Sequence, residues 1–176
     1  ALAATAAERF PAAAEGAIAE VAPARTALVG AVAERLAAAG GLALFIDYGG
    51  IARAPVDTLQ AVRRHARVDP LAHLGAADLT TAVDFAPLQE AAAAAGCRVH
   101  GPVPQATFLR ELGIELRAMA LARGRRGEAR EAILAGVHRL LDPRTMGEAF
   151  KVLAITGPDA AVPAGVAATA DGGGGT

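Results

Sequence analysis

The 176-residue chain has no tryptophan and a single tyrosine, and aromatics make up only 3% of it. Large rings therefore cannot dominate its core. Its 53% hydrophobic content rests on alanine, leucine and valine, and alanine buries little area per residue. The one cysteine, Cys97, excludes an intrachain disulfide and any multi-cysteine metal site. A lone thiol fits a reducing compartment, and the opening ALAATAAERF has no leader pattern, so a cytoplasmic location is expected. Charge of one sign is not in excess: 17 basic against 18 acidic residues withhold the electrostatic footprint of a nucleic-acid binder. No apolar run reaches membrane-spanning length, because Arg, Glu, Asp or Gly interrupts every stretch. His65, His73, His100 and His138 show no metal-ligand spacing, so no metal is expected. Absent too are the G-x-S-x-G elbow, the P-loop, H-E-x-x-H, C-x-x-C and the glycine-rich dinucleotide turn. The apolar content that remains suffices for one buried core, which excludes wholesale disorder and predicts one domain.

The hydropathy pattern predicts an α/β chain. Residues 1–11 read as a helix or an alanine-rich lead-in, and residues 16–21 (GAIAEV) as a short strand running into Ala22-Pro23. Leu28, Val32 and Leu36 recur every four positions and predict a helix over 25–39, stopped by Gly40-Gly41. Residues 42–46 (LALFI) then read as a strand buried on both faces, opening into a polar loop Asp47-Tyr48-Gly49-Gly50. Ligands of open parallel sheets sit beyond the carboxyl ends of strands, so this loop is the first candidate site. Residues 57–65 (DTLQAVRRH) suggest two helical turns, and Asp78-Leu79-Thr80 a polar loop. Asp84 reads as the N-cap of a helix with Phe85, Leu88, Ala92 and Ala95 on one face and Gly96 as its stop. A strand over 98–103 follows, then a helix from Pro104 with Phe108 and Leu112 inward, and another over 114–122. An amphipathic helix over 128–141 points Ile133, Val137, Leu140 and Leu141 to one side, and residues 150–156 (FKVLAIT) form a strand. The tail, 157–176, is poor in large residues, ends in GGGG and is expected to be flexible.

Polar residues at element ends are the chemical candidates. Asp47, directly after LALFI, costs desolvation unless it caps, pairs or binds a ligand. Glu20 follows the first strand candidate; Asp78, Thr80 and Asp84 form a second polar group, and Gln105 begins a helix. Cys97 reads as a buried, inert thiol and His138 as a surface residue.

Six stretches, taken in order, resemble one family. They are EVAPAR (20–25), AERLAAAGGLALFIDYG (33–49), DTLQAVRRH (57–65), LGAADLTTAVDFAPL (74–88), GPVPQATFLRELGIELRA (101–118) and HRLLDPRTMGEAFKVLAI (138–155). The sequence is similar to the C-terminal half of the MidA-type methyltransferases, which include the mitochondrial arginine methyltransferase serving respiratory complex I assembly. The resemblance implies the C-terminal part of a Rossmann-like class I methyltransferase fold, a partial mixed sheet flanked by helices, over residues 1–156. An insertion at about 50–83 would lie over the substrate side. Two departures stand out. Ala82 occupies the place of a histidine in the family's D-L-T-x-H-V-D-F motif, and nothing matches the upstream donor-binding strand and glycine-rich turn. A partial copy is therefore expected, with the strand at Leu42 left with an open edge.

The resemblance implies S-adenosylmethionine as cofactor and a protein substrate, with a respiratory complex I subunit as the candidate, a homodimer allowed and a mitochondrial location for eukaryotic relatives. An arginine acceptor needs carboxylates to orient its guanidinium. Asp47 and Glu20 are the expected catalytic pair, and Tyr48, Gly49, Asp78, Thr80, Asp84 and Gln105 the expected substrate-binding residues. Two readings stay open: a methyltransferase seen in part, or a non-catalytic remnant that binds a partner protein.

Overall fold

Gly40 and Gly41 both take positive φ, 72° and 109°, and turn helix α2 (Pro23–Ala39) directly into strand β1 (Leu42–Gly50). The computed structural model describes residues 2–166. Helix α1 (Leu2–Arg9) precedes these elements. After β1 come three short strands, β2 (Gln60–Arg63), β3 (Ala66–Val68) and β4 (Asp78–Thr80), which make a separate sheet in the order β3-β2-β4. Strand β5 (Val83–Asp84), helix α3 (Ala86–Ala94) and strand β6 (Arg98–Pro104) follow. Helices α4 (Gln105–Glu111), α5 (Ile114–Ala122) and α6 (Glu128–Leu141) then lead to strand β7 (Phe150–Thr156).

The main sheet has the order β5-β1-β7-β6. Strand β7 lies between β1 and β6 and runs antiparallel to both, while β5 is parallel to β1. This is the mixed α/β sheet flanked by helices that the resemblance implies, with β7 as its antiparallel strand. The β1–β7 register runs from Leu42 opposite Thr156 to Tyr48 opposite Phe150. Strand β5 meets β1 only at Gly49 and Gly50. Along residues 42–48 the other edge of β1 therefore has no partner strand among the described residues.

One face of the sheet is closed by α2 and α3. Val29, Ala33, Phe85, Leu88 and Ala92 pack there against Leu153 and Ile155, with Phe45 beside them. The buried stripe of α2 is Val29 and Ala33, and Leu28 is exposed. Fully buried Ala33 and Ala92 belong to this packed layer, and their small side chains let α2 and α3 approach closely, so spacing by large residues misplaces Leu28, while Leu36 packs against the cluster. On the opposite face Val152 and Ala154 are covered by Val103, Phe108 and Val166. That cover stops short of β1, where Leu42, Leu44 and Ile46 are 50%, 44% and 50% exposed. The expected burial of this strand on both faces is thus corrected to burial on one.

Other expectations also change. Residues 16–21 form no strand, since they meet no partner edge. The 57–65 segment is not helical: Arg64 and His65 take positive φ, 52° and 64°, and close a β2–β3 hairpin. Asp78, Leu79 and Thr80 are not a loop but the third strand of that small sheet, and Asp47 to Gly50 continue β1. Leu112 ends α4 facing solvent. In the tail expected to be flexible, Val166 is 2% exposed against Phe108, so residues 157–166 include an anchored valine; residues 167–176 lie outside the described residues.

His100, on β6, shares a 3.0 Å hydrogen bond between its Nε2 and Thr156 Oγ1. Burial, and then the charge of Arg98, hold its pKa below 6.5. The unfolded chain then takes up this proton first, so stability should fall as pH drops below the ordinary histidine value. Melting temperatures measured between pH 7.5 and 5.5 should decline in the parent chain and decline less in His100→Gln; equal declines would remove His100 as the cause.

Candidate active site

The carboxyl end of β1 is shaped by Gly49. Its φ is +149°, and a Cβ built there would lie 2.1 Å from the Val83 carbonyl oxygen. Only glycine lets β5 come this close. Phe85 N–H donates to the Gly50 carbonyl at 2.9 Å, which fixes Asp84 over the strand end. Asp84 Oδ1 accepts the backbone N–H of Ala52 and of Ala86, each at 3.1 Å. The second of these tethers the first turn of α3, although Phe85 and not Asp84 stands at the cap position. Asp84 Oδ2 accepts Arg9 Nε at 3.2 Å and Arg9 Nη2 at 2.9 Å. Arg9 Nη2 also donates to the Ala52 carbonyl at 3.1 Å, and the guanidinium lies 5.5 Å from the Phe10 ring centre.

Glu20 makes a second junction. Its Oε1 accepts Thr58 N–H at 2.8 Å and its Oε2 the Thr58 hydroxyl at 2.6 Å. Thr58 Oγ1 in turn accepts Ala82 N–H at 2.9 Å. Three segments distant in sequence are held together by one carboxylate and one hydroxyl.

Between these junctions lies a cavity of about 1380 Å³ whose wall includes Arg9, Glu20, Gly49, Ala52, Ala82 and Asp84. It sits beyond the carboxyl end of β1, the position at which open sheets place ligands. Of the residues expected from sequence, Glu20, Gly49 and Asp84 are brought together here. The others stand elsewhere. Asp47 is exposed, opposite Lys151 in the register, and its Oδ1 accepts Tyr48 N–H at 2.8 Å. Tyr48 packs edge-on to Phe150 at 6.0 Å, and its buried hydroxyl has no hydrogen-bond partner among the described residues. Asp78 and Thr80 are exposed on β4. Gln105 is buried, and its Nε2 donates to the Leu140 carbonyl at 3.0 Å, clamping α4 to the end of α6.

Arg9 is the functional candidate that sequence reasoning passes over. Its only signal is one member of the charged pair Glu8-Arg9 beside Phe10 in an alanine-rich stretch, and nothing local announces a partner 75 residues away. Among the described residues no group of three His, Cys, Asp or Glu side chains is arranged to hold a metal, and no helix is long and apolar enough to cross a membrane. A nucleoside cofactor asks for a carboxylate free to take its ribose hydroxyls and for a glycine-rich turn at its phosphate-like or methionine end. Both oxygens of Glu20 and both of Asp84 are already engaged within the chain, so these residues do not by themselves fit such a group.

Residues 1–103 match the family described as "Putative S-adenosyl-L-methionine-dependent methyltransferase". The chain is 41% identical over 129 residues to the Drosophila melanogaster "Protein arginine methyltransferase NDUFAF7 homolog, mitochondrial", covering 72% of this chain and 29% of that protein. It is 37% identical over 138 residues to the Mus musculus "Protein arginine methyltransferase NDUFAF7, mitochondrial", covering 77% and 31%. A Burkholderia thailandensis crystal structure with S-adenosyl-homocysteine bound superposes with a TM-score of 0.79 at 30% identity, covering 96% of this chain and 44% of that one. A second structure from the same organism gives a TM-score of 0.73, covering 88% and 44%. The chain thus spans about three tenths of the length of these curated relatives and under half of the solved chains.

Proposed function

We propose that this chain, which belongs to the S-adenosyl-L-methionine-dependent methyltransferase family matched by its residues 1–103, forms the acceptor side of a protein-arginine methylation site. The observation that carries the reading is the cavity beyond β1, with two fixed carboxylates on its wall, in a chain 41% identical to a relative named a protein arginine methyltransferase. A guanidinium is bound best by a carboxylate in a fixed orientation, because its N–H groups lie in one plane. Of the two carboxylates expected to act on the acceptor, Glu20 stands on this wall, and Asp84 takes the place expected for Asp47. Asp84 orients the guanidinium; Glu20, braced by Thr58, keeps the wall and its charge in place. The family's donor supplies the methyl group, and the polypeptide that holds it lies along the unpaired edge of β1, beside exposed Leu42, Leu44 and Ile46. The acceptor is a protein, with a subunit of respiratory complex I as the finer reading. In a bacterium the site works in the cytoplasm, with two copies of the complete enzyme as its assembly.

Titration of the chain with S-adenosylmethionine should give a Kd no tighter than about 1 mM. Co-expressed with the donor-binding portion of the Burkholderia relative, it should pass a labelled methyl group to arginine in an acceptor protein. A complex that binds the donor and labels no arginine would remove the reading in favour of a protein-binding remnant.

A further inference from the structure

Asp84 is held from two independent sides. Its Oδ1 is fixed by the backbone N–H groups of Ala52 and Ala86, which belong to the β1 exit and to α3. Its Oδ2 is bonded, among the described residues, by Arg9 alone. The Ala52 carbonyl stands alongside as a second acceptor, already used by Arg9 Nη2. A carboxylate oxygen and a carbonyl oxygen, both anchored by backbone and both on the cavity wall, make a receptor shaped for one planar guanidinium. The guanidinium that fills it comes from α1, a helix with no buried residue of its own. Phe10, which follows it, is buried.

We infer that Asp84 and the Ala52 carbonyl form a guanidinium-binding site that Arg9 occupies in cis, so that α1 acts as a built-in competitor for an incoming arginine side chain. The inference rests on the proposed arginine acceptor for the identity of that side chain. The receptor itself rests only on the hydrogen bonds. Withdrawing Arg9 leaves Oδ2 without a donor, at a side chain about a quarter exposed and facing the cavity, while Oδ1 keeps both of its backbone donors. The receptor therefore survives the loss of its occupant. Lysine fits it less well, since one ammonium cannot donate from Nε and Nη positions at once.

The test is a titration of the full chain with N-acetyl-arginine methylamide, followed by calorimetry and by the backbone amide signals of Ala52 and Ala86. Arg9→Ala should bind it at least about tenfold more tightly than the parent. Asp84→Asn in the Arg9→Ala background should return affinity to the parent level, and N-acetyl-lysine methylamide should bind clearly more weakly than the arginine ligand. Equal affinity in parent and Arg9→Ala, or equal binding of the lysine ligand, overturns the inference. If Arg9→Ala does not fold, Arg9→Lys is read by the same criteria, because it keeps the charge and loses the fork. Arginine binding by Arg9→Ala without any methyl transfer in the reconstituted complex would sink the methylation reading and leave this site standing. Methyl transfer with no gain in arginine affinity would do the reverse.

Discussion

Gly49→Ala is expected to destabilise the chain by about 4 kcal/mol, one of the larger effects a single methyl group can have. Two costs add. A Cβ at this position would lie 2.1 Å from Val83 O, 2.6 Å from Val83 N and 2.8 Å from Val83 C, all backbone atoms of a paired strand that cannot swing aside. The φ of +149° is also one that L side chains rarely adopt, worth about 1–3 kcal/mol by itself. For a domain of this size the melting temperature should fall by about 10 °C. Gly50 is the control: it is the next residue of the same strand, also paired to β5, and a Cβ there meets nothing within 4 Å. Gly50→Ala should stay within about 1 kcal/mol of the parent. A Gly49→Ala chain melting within 2 °C of the parent, about the effect of a surface change, would mean that β5 does not press on β1 as described.

The same contact explains which parts of the fold are legible from sequence. Helices α5 and α6 and strand β7 are readable to the residue, because each carries a regular apolar period and is bounded by turn residues. The face of α3 is readable too, since Phe85, Leu88 and Ala92 form one stripe and all are buried. The orientation of α2 is not. Its core contact is made by Val29 and Ala33, and hydropathy spacing ranks Leu28 above them. In an alanine-rich chain closeness of approach replaces side-chain size as the deciding quantity, and a pattern of large residues does not report it.

The short strands fail for a different reason. Gln60–Arg63, Ala66–Val68 and Asp78–Thr80 are too brief for a period and take their form from pairing with one another. The site shows the same division. Gly49 and Asp84 are visible as element-end residues, and Glu20 as an acid following an apolar stretch, and all three reach the cavity. Asp47 and Tyr48 share that signal and do not reach it, because β1 runs on through residue 50 and carries its end past them. Arg9 is invisible because its meaning lies in a contact across 75 positions.

That contact gives the second large effect. Asp84→Ala is expected to cost about 3 kcal/mol and Arg9→Ala only about 1 kcal/mol, although the two remove opposite ends of one ion pair. Losing the carboxylate takes the acceptor from three donors, Ala52 N–H, Ala86 N–H and Arg9 Nε, and leaves Arg9 Nη2 with the Ala52 carbonyl alone among the described residues. Losing the guanidinium leaves two oxygens, Asp84 Oδ2 and the Ala52 carbonyl, and both residues line a cavity that water can enter. A pair this exposed, 26% and 22% at its side chains, contributes little by charge alone, so the difference between the two variants measures the backbone bonds to Oδ1. Asp84→Asn should fall between them, because its amide oxygen can still accept from Ala52 and Ala86 while its amide nitrogen meets Arg9. Urea unfolding of the parent, Arg9→Ala, Asp84→Ala and the chain carrying both changes, with matched slopes, gives the cycle, and a coupling between Arg9 and Asp84 near 1 kcal/mol is expected. Equal losses for Asp84→Ala and Arg9→Ala would show that Arg9 holds the carboxylate in place, in which case no arginine receptor outlasts its removal. The predicted asymmetry is what a carboxylate positioned by backbone, and only visited by Arg9, requires.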